Sequence, residues 1–460
     1  MTRDSEYHFF SHGGLNILLD VPTGAVHVLD EVGARVLPFF ARGEAEKVAD
    51  EFSPEEIPGA RRAWEELQEL VDKGLLFSPE PHYARPGGGQ LKALCLHVAH
   101  DCDLRCRYCF AGKGSYGGSR SLMDLATAQR AIDFLFSSQA RVYEVDFFGG
   151  EPLLNLEVVE KTAAYARERA QGLGKRVNLT LTTNAYSLDA GARARLAALK
   201  MDIILSHDGR ESVHNANRPC PGGGPSYQEV TGNILELVPQ LGEKYYVRGT
   251  YTALNPDFVQ DIRHWLDLGL ERFSMEPVVL PPGGKMALTP EDLPQLREQY
   301  WQLAELARET PFTYFHFNLD WQRGQCGARR AAGCGAGVEY GAVSVDGDLY
   351  PCHQFVGEKR WRLGDVWSGP TNSALREQFF HLGIENKPVC RECWARYHCG
   401  GGCHANAWWI NGSLEQPYDL GCQLLKMRTE AAIYLKVRQA LGQYCSEGES
   451  HGKEEYKKAQ

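Results

Sequence analysis

Fourteen cysteines stand in 460 residues, and eleven of them fall into two groups. The first group is a loop, HDCDLRCRYCF, with the spacing Cys102-x3-Cys106-x2-Cys109. A [4Fe–4S] cluster is normally closed by four thiolates. Three leave one iron open, a position where a substrate can bind. Structural zinc takes four closed ligands, which a three-thiolate loop does not supply. The second group spans residues 326–422. It holds Cys326, then Cys334-x12-Gly347-x4-Cys352, then Cys390-x2-Cys393-x5-Cys399-x3-Cys403, then Cys422. Taken alone, Cys390, Cys393, Cys399 and Cys403 also suit a zinc site. Of the other three, Cys95 sits in an apolar run and reads as a small buried hydrophobe. Cys220 lies in a Pro/Gly loop and Cys445 near the tail, neither with an evident partner.

So many thiols point to metal or catalysis before disulfides if the chain stays in a reducing compartment. The cytosol is the expected place, because the first 30 residues lack the apolar core of a signal peptide. No run of about 18 apolar residues exists, which excludes a membrane-spanning helix. The composition, 43% hydrophobic and 23% charged, is that of an ordinary globular protein. A net charge of −10 argues against a general nucleic-acid binder. Residues 1–85 alone carry 8 basic and 16 acidic side chains, a net of −8.

Three segments must position these groups. Residues 1–85 open with strand-like runs Tyr7–Phe10, Leu15–Asp20 and Ala25–Asp30, separated by turn residues. Helical patterns follow at Glu31–Phe40, Glu44–Glu51 and Pro58–Gly74, the last with Trp64, Leu67, Leu70 and Val71 on one face. This reads as a winged-helix module ending at a Pro/Gly linker over 78–90. Residues 91–300 alternate strand and helix. Strands are expected at Leu91–Val98, Val142–Phe148, Val177–Thr183, Met201–Ser206, Tyr245–Thr252 and Arg272–Val278. Helices Asp124–Ser137, Leu156–Gly172 and Asp189–Ala198 lie between some of them. Six repeats imply an α/β fold with a parallel sheet, a partial (β/α) barrel or an open wound sheet, with chemistry at the carboxyl ends of the strands. Residues 320–425 are rich in Gly, Cys and aromatics, so metal sites are expected to supply stability that a small core would not. Over 426–460, one helix is expected to about Tyr444, then a disordered polar tail.

The first cysteine loop directly follows a strand and carries an aromatic, Tyr108, before its third cysteine. In this it resembles the radical S-adenosylmethionine enzymes. The resemblance implies a partial (β/α)6 barrel whose Cys102, Cys106 and Cys109 hold a catalytic [4Fe–4S] cluster. The open iron would chelate S-adenosyl-L-methionine. One electron would cleave it to methionine and a 5′-deoxyadenosyl radical, which takes a hydrogen atom from substrate. Other strand ends agree with the family. Gly149-Gly150-Glu151-Pro152 matches the turn that holds the methionine amino group, where glycines allow close approach to a ligand and Glu151 can accept from the ammonium. Thr183 and Asn184, and then Ser206, stand where ribose and carboxylate contacts are placed. Arg218 stands at the expected arginine, and Tyr108 is expected near adenine.

The seven-cysteine spacing with its inner Gly347 resembles the SPASM extension of radical S-adenosylmethionine peptide-modifying enzymes. That implies two auxiliary [4Fe–4S] clusters, three in all. Cys390, Cys393, Cys399 and Cys422 would close one. Cys334, Cys352 and Cys403 would hold three corners of the other. Cys326 either supplies its fourth ligand or leaves an iron free for a substrate thiolate. Residues 1–85 resemble the PqqD-like leader-recognition element, in which a leader peptide adds as an extra strand. The acidic charge suits a leader with basic residues and argues against a DNA-binding winged helix. GCGAGVEY (333–340) and DGDLYPCHQFVG (346–357) resemble the maturases of six-cysteine (SCIFF-type) peptides, which form thioethers. A sulfatase maturase would carry an aspartate after the cysteine that stands here as Cys352; this chain has His353, a candidate base. The implied partners are a ribosomally made precursor peptide and a one-electron reductant of flavodoxin or ferredoxin type, with no nucleic acid and no membrane.

Overall fold

A computed structural model describes residues 5–80, 89–319 and 333–458, with side chains to residue 442. The chain begins with three short strands, β1 (Tyr7–His12), β2 (Leu15–Asp20) and β3 (Val26–Leu29), in an antiparallel meander. Gly13 and Gly14 take positive φ at the first turn, as a tight hairpin requires. Helices α1 (Glu31–Arg42), α2 (Val48–Glu51) and α3 (Ile57–Asp72) follow. Asp30 caps α1 by accepting from the Gly33 amide at 2.7 Å, and Gly43 in the left-handed region ends it. Val36, Leu37 and Phe40 of α1 bury with Ala60, Ala63 and Leu67 of α3 against Leu18 of β2. Trp64, Leu70 and Val71 pack beside them, the face expected from their spacing. The second expected helix is split, with a tight turn over Ala45–Lys47 leading into α2.

The central sheet holds the six expected strands, each within two residues of its expected ends. They are β4 (Ala93–Ala99), β5 (Val142–Gly149), β6 (Arg176–Thr183), β7 (Asp202–Ser206), β8 (Tyr245–Tyr251) and β9 (Arg272–Pro277). All five neighbouring pairs among them are parallel. Helices α4 (Leu125–Phe136), α5 (Leu156–Gly172), α6 (Ala190–Leu199), α7 (Glu211–Asn217), α8 (Tyr227–Leu241), α9 (Val259–Asp267) and α10 (Leu293–Glu309) connect or follow them. Strand residues alternate: Tyr143, Val145 and Phe147 of β5 are fully buried, while Glu144, Asp146 and Phe148 are more accessible. One face of the sheet therefore meets helices, and the other lines a concave wall.

The sheet does not stop at six strands. A short β10 (Thr313–Tyr314) joins β9 in parallel. On the other side β11 (Tyr340–Val343) pairs in parallel with β4, and β12 (Asp348–Tyr350), β13 (Gly364–Asp365) and β14 (Gly369–Pro370) add antiparallel strands. The sequence reading gave this region little core of its own. Instead Leu349, Tyr350, Phe355, Trp361, Val366 and Phe379 are buried in the same cluster as Leu94 and Leu96 of β4. Strands of two to four residues are too short to show a period, which hid them. Short helices α11 (Ser373–Phe380), α12 (Pro388–Arg391), α13 (Arg396–Cys399) and α14 (His404–Asn411) follow, with Cys390 in α12 and Cys399 in α13.

The last helix, α15, runs from Asp419 to Lys458. It starts before the expected boundary at 426 and passes the expected end near Tyr444, so the tail expected to be disordered is helical here. Its Glu, Lys, Gln and Ala content favours helix, and that outweighs the polarity on which disorder was read.

Candidate active site

β4 delivers the first cysteine loop to the end of the sheet. Cys102, Cys106 and Cys109 line a cavity of about 150 Å³ together with Tyr108, Gly149, Gly150, Glu151, Thr182, Thr183, Asn184, Ser206 and Arg218. The loop is pinned by its backbone: the Arg105 amide donates to the Pro219 carbonyl at 2.8 Å and that of Arg107 to Asn217 at 2.9 Å. Burial pushes the Cys106 thiol up to about 11 and the Cys102 thiol higher still, with Glu151 adding to the latter. Thiols that resist ionisation, as Cys102 and Cys106 do, need a strong local cation to become ligands, which an iron–sulfur centre would supply. Among the described residues, no group of three or more His, Cys, Asp or Glu meets the geometry of a single-ion site. The donor set, three thiols around a cavity, fits a three-thiolate cluster.

The two glycines of the β5 turn act on the cysteine loop itself. A Cβ on Gly150 would lie 2.1 Å from the Asp101 carbonyl oxygen, and one on Gly149 2.2 Å from that of Ala99. The Gly150 amide donates to Ala99 and the Glu151 amide to Asp101, both at 2.8 Å. These glycines let two backbone segments meet. Glu151 is also more engaged than expected. Its carboxylate accepts from Thr183 Oγ1 at 2.7 Å, the Asn184 amide at 2.8 Å and the Leu153 amide at 3.0 Å. Burial raises it to about 8. It ties the ends of β5 and β6 together, while Pro152 is buried as the first residue of the next turn.

Thr183 Oγ1 also accepts from the Ala185 amide at 3.0 Å, a strand-end cap. Asn184 Nδ2 donates to Asp103 at 2.8 Å and points at Cys102 Sγ, 3.6 Å away. Tyr108 donates its hydroxyl to Asp208 Oδ2 at 2.7 Å, and Arg218 Nε donates to Oδ1 at 3.1 Å. The guanidinium lies 5.8 Å from the Tyr108 ring. Asp208, which sequence reading did not single out, therefore fixes two site residues. Tyr116 was missed too; its hydroxyl donates to the Gly149 carbonyl at 3.0 Å. Nothing in its surroundings in sequence signals this.

The later cysteines gather in two places. Cys390, Cys393, Cys399 and Cys422 line a cavity of about 430 Å³ with Arg396, Asp419 and Lys426. Beyond burial, Cys403 and Cys334 hinder ionisation of the Cys352 thiol, and Cys334 that of Cys403, so the three lie near one another. Lys387, missed in sequence, is buried between the two sets; burial lowers its pKa, and both sets of thiols oppose that. It donates to the Gly401 carbonyl at 3.0 Å. Cys326 lies outside the described residues. His353 is half-buried, with Nδ1 3.1 Å from the Tyr340 hydroxyl. Its ring centroid is 5.7 Å from that of Phe110 and 5.3 Å from that of Phe148. Desolvation lowers it to about 4, so the imidazole is neutral at neutral pH.

Residues 96–208 match the family described as the Radical SAM superfamily. An uncharacterized protein of Methanocaldococcus jannaschii is 26% identical over 200 residues, 43% of this chain and 66% of that protein. A cysteine-type anaerobic sulfatase-maturating enzyme of Clostridium perfringens is 25% identical over 341 residues, covering 68% of this chain and 88% of the enzyme. A PqqA peptide cyclase of Granulibacter bethesdensis is 21% identical, covering 70% and 84%. Among solved structures, native anSMEcpe with bound AdoMet superposes with a TM-score of 0.65 at 20% identity, over 76% of this chain and 99% of that one. SuiB of Streptococcus suis bound to the precursor peptide SuiA gives 0.52 at 16% identity, over 91% and 99%. The three-cysteine loop at the end of β4 falls inside the segment that matches the Radical SAM superfamily.

Proposed function

We propose that the chain is a radical S-adenosylmethionine peptide maturase that forms thioether cross-links between cysteine sulfur and carbon in a ribosomally made, cysteine-rich precursor. The observation that carries this reading is the His353 ring, next in sequence to Cys352, packing against Phe110 and Phe148, which line the cavity of Cys102, Cys106 and Cys109. Cys102, Cys106 and Cys109 would hold a [4Fe–4S] cluster, which with S-adenosylmethionine would supply the chemistry of radical hydrogen-atom abstraction at the acceptor carbon. Arg218 and Tyr108, held by Asp208, and Ser206 border the space for S-adenosylmethionine. Asn184 orients toward Cys102. His353, neutral, offers an acceptor for a thiol proton. Cys334, Cys352 and Cys403 would hold a second cluster, with Cys326 as the undecided fourth ligand, and Cys390, Cys393, Cys399 and Cys422 a third. In this reading residues 1–85 bind the leader, 91–300 form the radical core, 320–425 form a SPASM domain, and a flavodoxin or ferredoxin type protein supplies electrons.

Alanine at Cys102, Cys106 or Cys109 is expected to abolish 5′-deoxyadenosine formation; retained formation sinks the proposal. Alanine at Cys390, Cys393 or Cys399 is expected to stop the cross-link while leaving some deoxyadenosine. Similarity to the sulfatase-maturating enzyme supports a second reading, formylglycine formation. A thioether product loses two hydrogens and a thiol that can be alkylated, whereas formylglycine reacts with a hydrazide. His353 in place of an aspartate after Cys352 favours the first. Radical carbon–carbon cross-linking would leave the thiol free.

A further inference from the structure

This inference rests on the reading of the chain as a peptide-modifying enzyme and concerns how the peptide is held. β8 shows which of its side chains face the concave wall. Tyr245, Val247 and Tyr251 are buried in the core. A Cβ on Gly249 would meet Trp265 of α9 at 2.8 Å and Met275 at 2.9 Å, so that face is closed by a helix. Arg248 has the opposite parity and is the register partner of Ser206, which lines the thiol cavity. It is exposed despite its place in the middle of a seven-residue strand flanked on both sides.

The charge of Arg248 reaches three elements that border the wall. It bears on Glu276 of β9, on His316 just beyond β10, and on His353 next to Cys352. The nearby acid is already taken. Glu276 bonds His316 Nε2 at 2.6 Å and faces Arg428 of α15 at 3.8 Å. Among the described residues, the Arg248 side chain makes no hydrogen bond or ion pair, while its carbonyl accepts from the His207 amide at 3.0 Å. Its guanidinium is thus a solvent-facing fork of donors, one strand over from Ser206 of the thiol cavity. Such a fork fits a carboxylate with two parallel hydrogen bonds.

We propose that Arg248 anchors a carboxylate of the peptide substrate, placing the residue to be modified between the first thiol loop and His353. The carboxylate comes from an Asp or Glu side chain or from the peptide's C-terminus; both present the same group. No bond is made or broken in this step.

The test uses the full chain and four fluorescein-labelled peptides, Gly-Cys-Gly-Asp-Gly and Gly-Cys-Gly-Asn-Gly, each as the C-terminal acid and the amide. Binding is read by fluorescence anisotropy without turnover. The wild-type protein is expected to prefer a carboxylate over its amide by about tenfold. Loss in the Asp/Asn pair identifies a side chain, and loss in the acid/amide pair the C-terminus. Arg248→Gln is expected to erase the preference while keeping the wild-type melting temperature, and Arg248→Lys to retain part of it. A preference that is absent in the wild type, or unchanged in Arg248→Gln, overturns the proposal. So does a tenfold loss of S-adenosylmethionine affinity in Arg248→Gln with peptide binding intact, which would give the anchor to the cofactor. Failure of the radical-enzyme reading would show separately, as deoxyadenosine formation surviving Cys102→Ala.

Discussion

His214 shows how much a single buried side chain can set. It is fully buried on α7, accepts from the Asp208 amide through Nδ1 at 3.3 Å, and is pushed down to about 3, by burial first and by Arg218 second. A histidine kept neutral in the folded state protonates in the unfolded chain below its ordinary value near 6.5. The unfolded state then binds more protons, so stability falls as pH drops from about 6.5 toward 3. His214→Asn keeps an acceptor but removes the titration. Between pH 7 and pH 5 the variant is expected to lose about 2 kcal/mol less stability than the wild type, measured by guanidinium unfolding; equal losses would refute this. The clustered cysteines and Glu151, Thr183, Asn184, Ser206 and Arg218 were legible because short motifs at strand ends carry them. Asp208, Tyr116 and Lys387 were not, because their work lies in hydrogen bonds and charges to residues distant in sequence.

At the scale of elements, the β5 turn and the cysteine loop behave as one piece. Gly150→Ala would drive a methyl carbon into the Asp101 carbonyl, and backbone on both sides must move. The expected cost is about 1–3 kcal/mol. On the proposed reading, iron at the Cys102–Cys109 loop should fall while iron proposed at the later cysteines stays, which site-selective Mössbauer or EPR signals would separate. Normal iron at all sites would mean that the loop adapts. The six core strands were legible as apolar runs between turn signals. β10 through β14 were not, since two-to-four-residue strands have no readable period, and the end of α15 was misread because polarity alone does not distinguish an exposed helix from a disordered tail.

At the scale of the molecule, the N-terminal strands dock onto α10 and onto the region of the later cysteines. The His8 ring stacks on Trp394 at 3.7 Å, and His12 on Trp301 at 3.9 Å. Arg396 is 3% exposed. It donates to the Ser5 carbonyl at 2.7 Å and to that of Cys393 at 3.0 Å, and pairs with Glu80. Arg396→Ala is expected to cost about 1.5–3 kcal/mol and to speed proteolysis of the N-terminal segment; unchanged cleavage kinetics would show that the stacked rings suffice. None of this contact follows a sequence pattern, because its partners lie hundreds of positions apart.

α15 gathers Cys422, which lines the larger thiol cavity, Arg428, which faces Glu276, Glu430, which bonds His8 at 2.9 Å, and Tyr434, which bonds Glu305. Chain growth on the ribosome reaches this helix after every other part of the site. The residues around the Cys102 loop, through Arg218, are all present early in synthesis, whereas the Cys390 cavity lacks a wall until Cys422 emerges. On the proposed reading, the first loop could therefore be filled on a growing chain, and the Cys390 site only after α15 has emerged.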